Sequence, residues 1–445
     1  TKMALSGLYD QVEGGFHRYS TDDQWRLPHF EKMLTDNAQM IELYSLAYAH
    51  QPNDLYRRVV EQTIAHLQSV WQHDNGLFCH SMDADSDGEE GFYYTLTSTE
   101  FESMFSDFDD ITLLMDHFQI TKTGNFEDEA TGELTGQNIL HPISDQFPMD
   151  IVNFRERLLA FRAENRDRPV IDSATYISAN ALLLKGLFIA ANVFSRSDWV
   201  TSAQSLMVSL TTQFDTSIDS IYLDDGVYLL DALVTGCDQS QGVLWDRIEQ
   251  IWIELNERFI DLAHGGAWFS QASHRTPISR IKDIYDQAVP APNAVLIRSA
   301  LIMYGMHPQS QQLSFALQSI QAFMSKVLAS ASGCDSYWLA VRKYWDKFQS
   351  TSFQVVWCQF KCVSDGLVHV EIDLDLNDGL FVTDDHPLTI LSDVGDYTWR
   401  SYRMDPVKSR RFEWADHVVR CASGTIRIAP ELLKEVDKEH PIYKS

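Results

Sequence analysis

At 445 residues, 44% hydrophobic and 12% aromatic, the chain can bury one large core or two to three domains. Its 63 acidic and 35 basic residues leave a formal charge of −28. That field argues against nucleic acid as a partner and favours solubility and a periplasmic or saline setting; no run of about eighteen uninterrupted apolar residues occurs, so no membrane span is expected.

In chain order, residues 1–13 read as the tail of a helix already under way, so further residues, and any targeting signal, are expected upstream. Gly14 and Gly15 supply the left-handed turn that stops it. Pro28 suits a helix start, and an apolar side from Met33 and Leu34 through Ile41 to Tyr48 predicts a helix over about 29–50. On that helix His29, Lys32 and Asp36 would share one face. After Pro52-Asn53-Asp54 its partner runs over about 54–73, followed by the turn Asp74-Asn75-Gly76-Leu77-Phe78. The pattern of helix end, turn and aromatic recurs at Asp219-Ser220-Ile221-Tyr222 and Gly265-Gly266-Ala267-Trp268-Phe269. Further helices are expected at about 174–195, 198–215, 224–237, 241–263, 286–305, 309–330 and 335–349, joined by short breaks. Such a repeat without heptads means stacked helical hairpins. Residues 119–150, with Gly124, Gly132, Gly136, Pro142 and Pro148, form an irregular insertion.

Near residue 350 the period changes. SFQVVWCQFKCV, GLVHVEIDLDL and PLTILSDV alternate or run β-branched, with Asn377-Asp378-Gly379 as a turn. The organisation expected is a helical body over 1–350, a small antiparallel β domain over 351–430 and a tail over 431–445. The six cysteines contain no CxxC, which excludes a thioredoxin-type motif and a zinc ribbon. Cys358 and Cys362 would lie roughly 13 Å apart along a strand, too far for a mutual disulfide.

Chemically capable side chains are densest in two runs. The first, Gly14 to Met40, carries His17, Arg18, Tyr19, His29, Glu31, Lys32, Asp36 and Asn37. The second, SMDADSDGEEGFYY (Ser81 to Tyr94), carries Asp83, Asp85, Asp87, Glu89 and Glu90, whose mutual repulsion would raise some carboxyl pKa values and make one a general acid. Two other readings of the second run stay open. It starts like a calcium loop, but Tyr94 stands where the twelfth-position glutamate belongs, and it could be a solvated acidic loop. Candidate catalytic groups are thus Asp83, Asp85, His29 and Glu31. Candidate substrate-binding groups are His17, Arg18, Tyr19, Lys32, Asp36, Asn37, Glu89, Glu90 and, before a later helix, Asp286. No phosphate loop, serine nucleophile elbow or HExxH occurs, and no cofactor or metal is implied.

The run MALSGLYDQVEGGFHRYSTDDQWRLPHFEKMLTDNAQM resembles the segment that follows the thioredoxin domain in the spermatogenesis-associated, thioredoxin-domain-containing proteins of bacteria and animals. SMDADSDGEEGFYY matches a second signature of that family, and GNFE (Gly124 to Glu127) with NILH (Asn138 to His141) a third. The resemblance implies a mainly α fold, an (α/α)6 toroid of helical hairpins similar to N-acylglucosamine 2-epimerases and six-hairpin glycosidases, preceded by a thioredoxin-like domain. It departs from the family at DSATYISANA, which keeps Asp172 and Asn180 but lacks the lysine, tryptophan and glycine, and at YDQAVPAPN, which keeps Asp286, Pro290 and Asn293. In the β-rich end, GLFVTDDHP resembles the immunoglobulin-like domain of periplasmic disulfide-exchange proteins. Two functions follow as expectations. One is a sugar-binding, glycosidase- or epimerase-like toroid of unnamed substrate, with catalysis in doubt. The other is a non-catalytic binding or scaffold part of a thioredoxin-linked protein.

Overall fold

The computed structural model describes residues 1–349 apart from 128–130, 241–243, 276–278, 308 and 331; beyond 349 it describes the backbone of six strands. The chain is mainly α, built of helical hairpins with small antiparallel sheets. It divides into two compact units, residues 1–221 with 235–248, and residues 222–234 with 249–445.

In the first unit, α1 (Leu34–His50) packs against α2 (Asp54–His66) and α6 (Ile177–Phe194), and α6 packs against α7 (Ser197–Ser217). Each hairpin is closed by a short break: Asn53 caps α2 through its side chain, and Ser195 ends α6 in the left-handed region. Helix α6 is long and apolar enough to cross a membrane, with a mean hydropathy of 1.6, but 72% of it is buried inside the protein. Between the hairpins lie α3 (Ser98–Met104), α4 (Ile111–Phe118) and α5 (Ile151–Asn165), which the sequence reading left unassigned. Thr97 and Glu100 form a capping box at the start of α3. These helices bury Phe101, Phe105, Leu114, Phe118, Phe154 and Leu158 in a core of their own. The expected irregular insertion begins where α4 ends, at Gln119. Its loop is pinned by two side chains: Asn125 to Gln119 O and Ile139 O, and Asn138 to Leu96 O and Thr121 O. The motifs GNFE and NILH therefore serve this loop.

In the second unit, α10 (Pro292–Met306) packs against α11 (Ser310–Ala329) and α12 (Asp335–Gln349). Helix α8 (Leu223–Ser240) runs through both units, and α9 (Trp245–Arg258) follows it. The strands β8 (Gln354–Cys362), β9 (Val368–Asp375), β12 (Arg410–Trp414) and β13 (Lys434–Glu435) make a four-stranded antiparallel sheet in the order β13-β12-β9-β8. β10 (Leu388–Ile390) pairs with β11 (Tyr397–Trp399). The first of these strands begins close to the change of period near residue 350. GLFVTDDHP, Cys421 and most of the tail lie outside the described residues.

Two expectations are corrected. Residues 1–13 are not a helix tail: only Met3–Leu5 forms a single tight turn, and Asp10 accepts from the N–H groups of Val12 and Glu13 in place of helical bonds. Residues 29–33 are not helical either. Pro28–His29 (β2) pairs with Tyr19–Ser20 (β1), and Lys32–Met33 (β3) pairs with Ser81–Met82 (β4). His29, Lys32 and Asp36 therefore do not share a helix face.

Three of the four recurring turns share a lock. Asn37, in the first turn of α1, accepts from Phe16 N–H at 2.7 Å and donates to Phe16 O and Met33 O. Asn180 on α6 does the same for Phe78, accepting at 2.8 Å and donating to Phe78 O and Tyr176 O. Asn293 on α10 does so for Ala267, at 2.7 Å, and donates to Ala267 O and Asp283 O. Two of the turns share a second lock. Lys32 donates to Asp10 Oδ2 and Gly14 O, both at 2.9 Å, as Lys282 donates to Asp261 Oδ2 and Gly265 O. Positive φ at Gly14, Gly15, Gly265 and Gly266 is what lets the backbone bring these carbonyls round.

Candidate functional site

Two small sheets assemble one end of the first unit. β1 and β2 place Tyr19 opposite His29, and Arg18 N–H donates to Glu31 O at 2.8 Å. β3, β4 and β7 (Ile171–Asp172) form a three-stranded sheet with Met33 opposite Ser81 and Ser81 opposite Asp172. Leu34 N–H donates to His80 O, and His80 N–H to Asp172 O, at 2.9 and 3.0 Å. Segments far apart in the chain thus meet at the start of α1.

Extended backbone decides which side chains face outward. Along Pro28–Lys32 burial alternates: Pro28, Phe30 and Lys32 point inward while His29 and Glu31 stay partly exposed. The outward groups make a polar rim. Arg18 pairs with Glu31 at 2.8 Å, and His29 Nε2 lies 3.8 Å from the same carboxylate. His29 Nδ1 bonds Glu90 Oε1 at 2.7 Å, and Glu90 also accepts from Phe30 N–H. The Tyr19 ring stacks on His29 with centroids 4.9 Å apart and is 50% exposed.

Asp36 stands behind this rim in the first turn of α1. A helix N-terminus ordinarily favours a carboxylate, yet burial raises the Asp36 pKa to about 6; Arg18 opposes the rise and Glu31 adds to it. Its Oδ2 is buried without a hydrogen-bond partner among the described residues. A carboxyl in that position is partly protonated near neutrality and can give up a proton.

The inward groups belong to the core. Lys32 is 0% exposed and held by Asp10 and Gly14. Burial alone would raise the Asp10 carboxyl, but Arg162 and Lys32 overcome it and hold the group well below its usual range. Beside them Arg168 forks onto Glu13 at 2.8 and 2.9 Å, and Tyr93 donates to the same carboxylate. His17 is buried against the Phe30 and Tyr94 rings, its Nδ1 bonding Phe30 O, and burial followed by the Lys32 charge lowers its pKa to about 3. Asn37 is the lock described above. Lys32 Nζ, the Asn37 amide and His17 Nδ1 are thus bonded within the fold, unlike the outward groups of the rim.

The acidic run becomes a two-residue hairpin, β5 (Asp85–Ser86) with β6 (Glu89–Glu90), turning at Asp87 and Gly88 with positive φ at both. Asp83, Asp85 and Glu89 are exposed on it, and Asp83 Oδ1 accepts from its own turn at Ala84 N–H. Of this run only Glu90 has an observed contact with the rim. Asp286 lies in the second unit, where its two oxygens accept the N–H groups of Ala291 and Ser336.

No family model matches the chain. A curated relative does: human spermatogenesis-associated protein 20 is 27% identical over 378 residues, covering 73% of this chain and 48% of the relative. This chain is a sequence relative of spermatogenesis-associated protein 20. It spans about half the length of the curated relatives it matches. Among solved structures, a sugar epimerase from a ruminal bacterium matches with a TM-score of 0.43 at 9% identity, covering 78% of this chain and 82% of that one. A GH76 alpha-mannanase from Bacteroides thetaiotaomicron matches with a TM-score of 0.40 at 10% identity, covering 71% and 69%.

Within the matched signatures, reasoning from the sequence missed His80, which immediately precedes the acidic run, and it noted Asp172 without assigning it to the site. The signal for His80 was its place at the end of a strand that must pair with the start of α1. A cleft of about 430 Å³ opens beside the rim, lined by Pro28, Phe30, Glu89, Glu90, Phe92 and Phe126 among others.

Proposed function

We propose that the chain is a saccharide-handling (α/α)6 toroid whose ligand sits on the Tyr19–His29 ring pair, with Arg18 and Glu31 beside it and Asp36 as the acid. The observation that carries this reading is Asp36: a half-buried carboxyl, raised to about 6, with one oxygen unpaired. The fold does not ask for that carboxyl. In the two matching locks the residue before the asparagine is Ala179 or Pro292. The exposed Tyr19 face gives a platform for the apolar side of a sugar ring. The toroid and the sugar chemistry implied by the family resemblance belong to this proposal, as does a thioredoxin-like domain upstream. The commitment of His17, Lys32, Asn37 and Asp286 to the fold supports the second reading, a binding or scaffold part of a thioredoxin-linked protein.

The test is calorimetric titration of D-mannose, cellobiose and N-acetylglucosamine into wild type and Asp36→Ala. The proposal expects heat of binding for at least one sugar and a loss of about tenfold in affinity in the variant. Silence in wild type, or equal affinity in both proteins, would leave the scaffold reading in place.

A further inference from the structure

His80 is pinned between the helix that carries Asp36 and the strand that carries Asp172. Its carbonyl accepts from Leu34 and its N–H donates to Asp172 O. Its ring lies edge-on to Tyr176 at 4.6 Å. Its Nδ1 is buried with no hydrogen-bond partner among the described residues, and Asp36 Oδ2 is in the same condition. A buried polar atom without a partner costs about 1–3 kcal/mol. Here two such atoms lie close to the start of one helix. Both residues are only partly buried. Each therefore keeps its other heteroatom, Asp36 Oδ1 and His80 Nε2, for solvent or a ligand.

We infer that Asp36 and His80 act as one neutral hydrogen-bonding pair that grips two neighbouring hydroxyls of a single sugar ring. The inference rests on the saccharide reading and deepens it by naming the recognised group, a vicinal diol. Asp36 donates its carboxyl proton to one hydroxyl oxygen. His80 keeps the lone pair on the buried Nδ1, because a buried unpaired N–H is the costlier orphan. Nε2–H then donates to the second hydroxyl. Both hydroxyls still have protons to give to Glu31 or water. No net charge enters a region where Arg18 and Glu31 already neutralise each other.

The surroundings favour the neutral form of both groups. Burial raises the acid to about 6, against Arg18 and with Glu31. Burial also lowers the His80 imidazole below its usual 6.5; Asp172 and Glu31 pull it back up, and Arg18 pushes it further down. The charged groups that act on the pair are thus Arg18, Glu31 and Asp172.

The experiment is a pH series of cellobiose and D-mannose titrations into the full chain, from about pH 4 to about pH 8. Affinity is expected to hold below about 6 and to fall above it as Asp36 ionises. Protonation of His80 at Nδ1 leaves Nε2–H donating, so no loss is expected on the acid side. His80→Phe should bind about tenfold more weakly and keep the fall near 6; His80→Leu is the second variant should the first fail to fold. His80→Gln, which returns an N–H near the place of Nε2, should recover part of the loss, a rescue that a purely structural role for His80 would not produce. Unchanged affinity in the folded apolar variant, or no recovery with His80→Gln, overturns the pairing and leaves the saccharide reading standing. Absence of binding to wild type by either sugar at every pH overturns both.

Discussion

At the scale of single residues, Asp36 is a group the fold tolerates at a cost. Its folded-state pKa lies above the unfolded value of 3.8, at about 6. Such a carboxyl adds to stability below 3.8 and loses that contribution as pH rises through 6, so at neutral pH its ionisation works against the folded state. Two pKa units correspond to about 3 kcal/mol, an upper bound for a half-buried group that solvent partly screens. Asp36→Asn should therefore be more stable than wild type by about 1–2 kcal/mol near pH 8 and equal to it near pH 3.5, read by urea unfolding at both values. A variant less stable at both pH values would show that Asp36 is a structural carboxylate. The side chain was legible in the sequence; its environment was not. Spacing suggested a helix face shared with His29 and Lys32, whereas the extended run Pro28–Lys32 sends Lys32 into the core and His29 to the rim.

At the scale of elements, the asparagine lock explains why so many turns look alike. It satisfies the backbone N–H and C=O of the residue that follows each turn, groups that would otherwise be buried unpaired. Asn180 is fully buried and makes both bonds to Phe78 and a third to Tyr176 O. Asn180→Ala should cost about 3 kcal/mol in chemical denaturation; a loss below about 1 kcal/mol would mean that the lock is incidental. The helices of the hairpins were readable from their length and from the short breaks that join them, and most observed boundaries fall within a few residues of those expected. Helices α3, α4 and α5 escaped because they pack into a separate core under the loop pinned by Asn125 and Asn138. The acidic run was read for its charge, but its Asp87-Gly88 turn was the more telling signal, since positive φ at both positions makes a tight hairpin.

At the scale of the whole molecule, the hairpin class and the β-rich end were visible in the change of period near residue 350. The proposed site was only half visible, because Arg18–Glu31, Asp36, His80 and Asp172 are brought together by strand pairs two residues long, too short to leave a periodic trace. Within a chain of net charge −28, a carboxyl raised to about 6 stands apart from its many acidic neighbours. The claim on which the account turns is that Asp36 is such a group and that a sugar meets it. Carbon-13 titration of the Asp36 carboxyl in the full chain measures this directly. The account predicts a midpoint of about 6 that rises when cellobiose or D-mannose saturates the site, because a hydroxyl accepting from the acid stabilises its protonated form. A midpoint at the ordinary 3.8 that neither sugar displaces would contradict it.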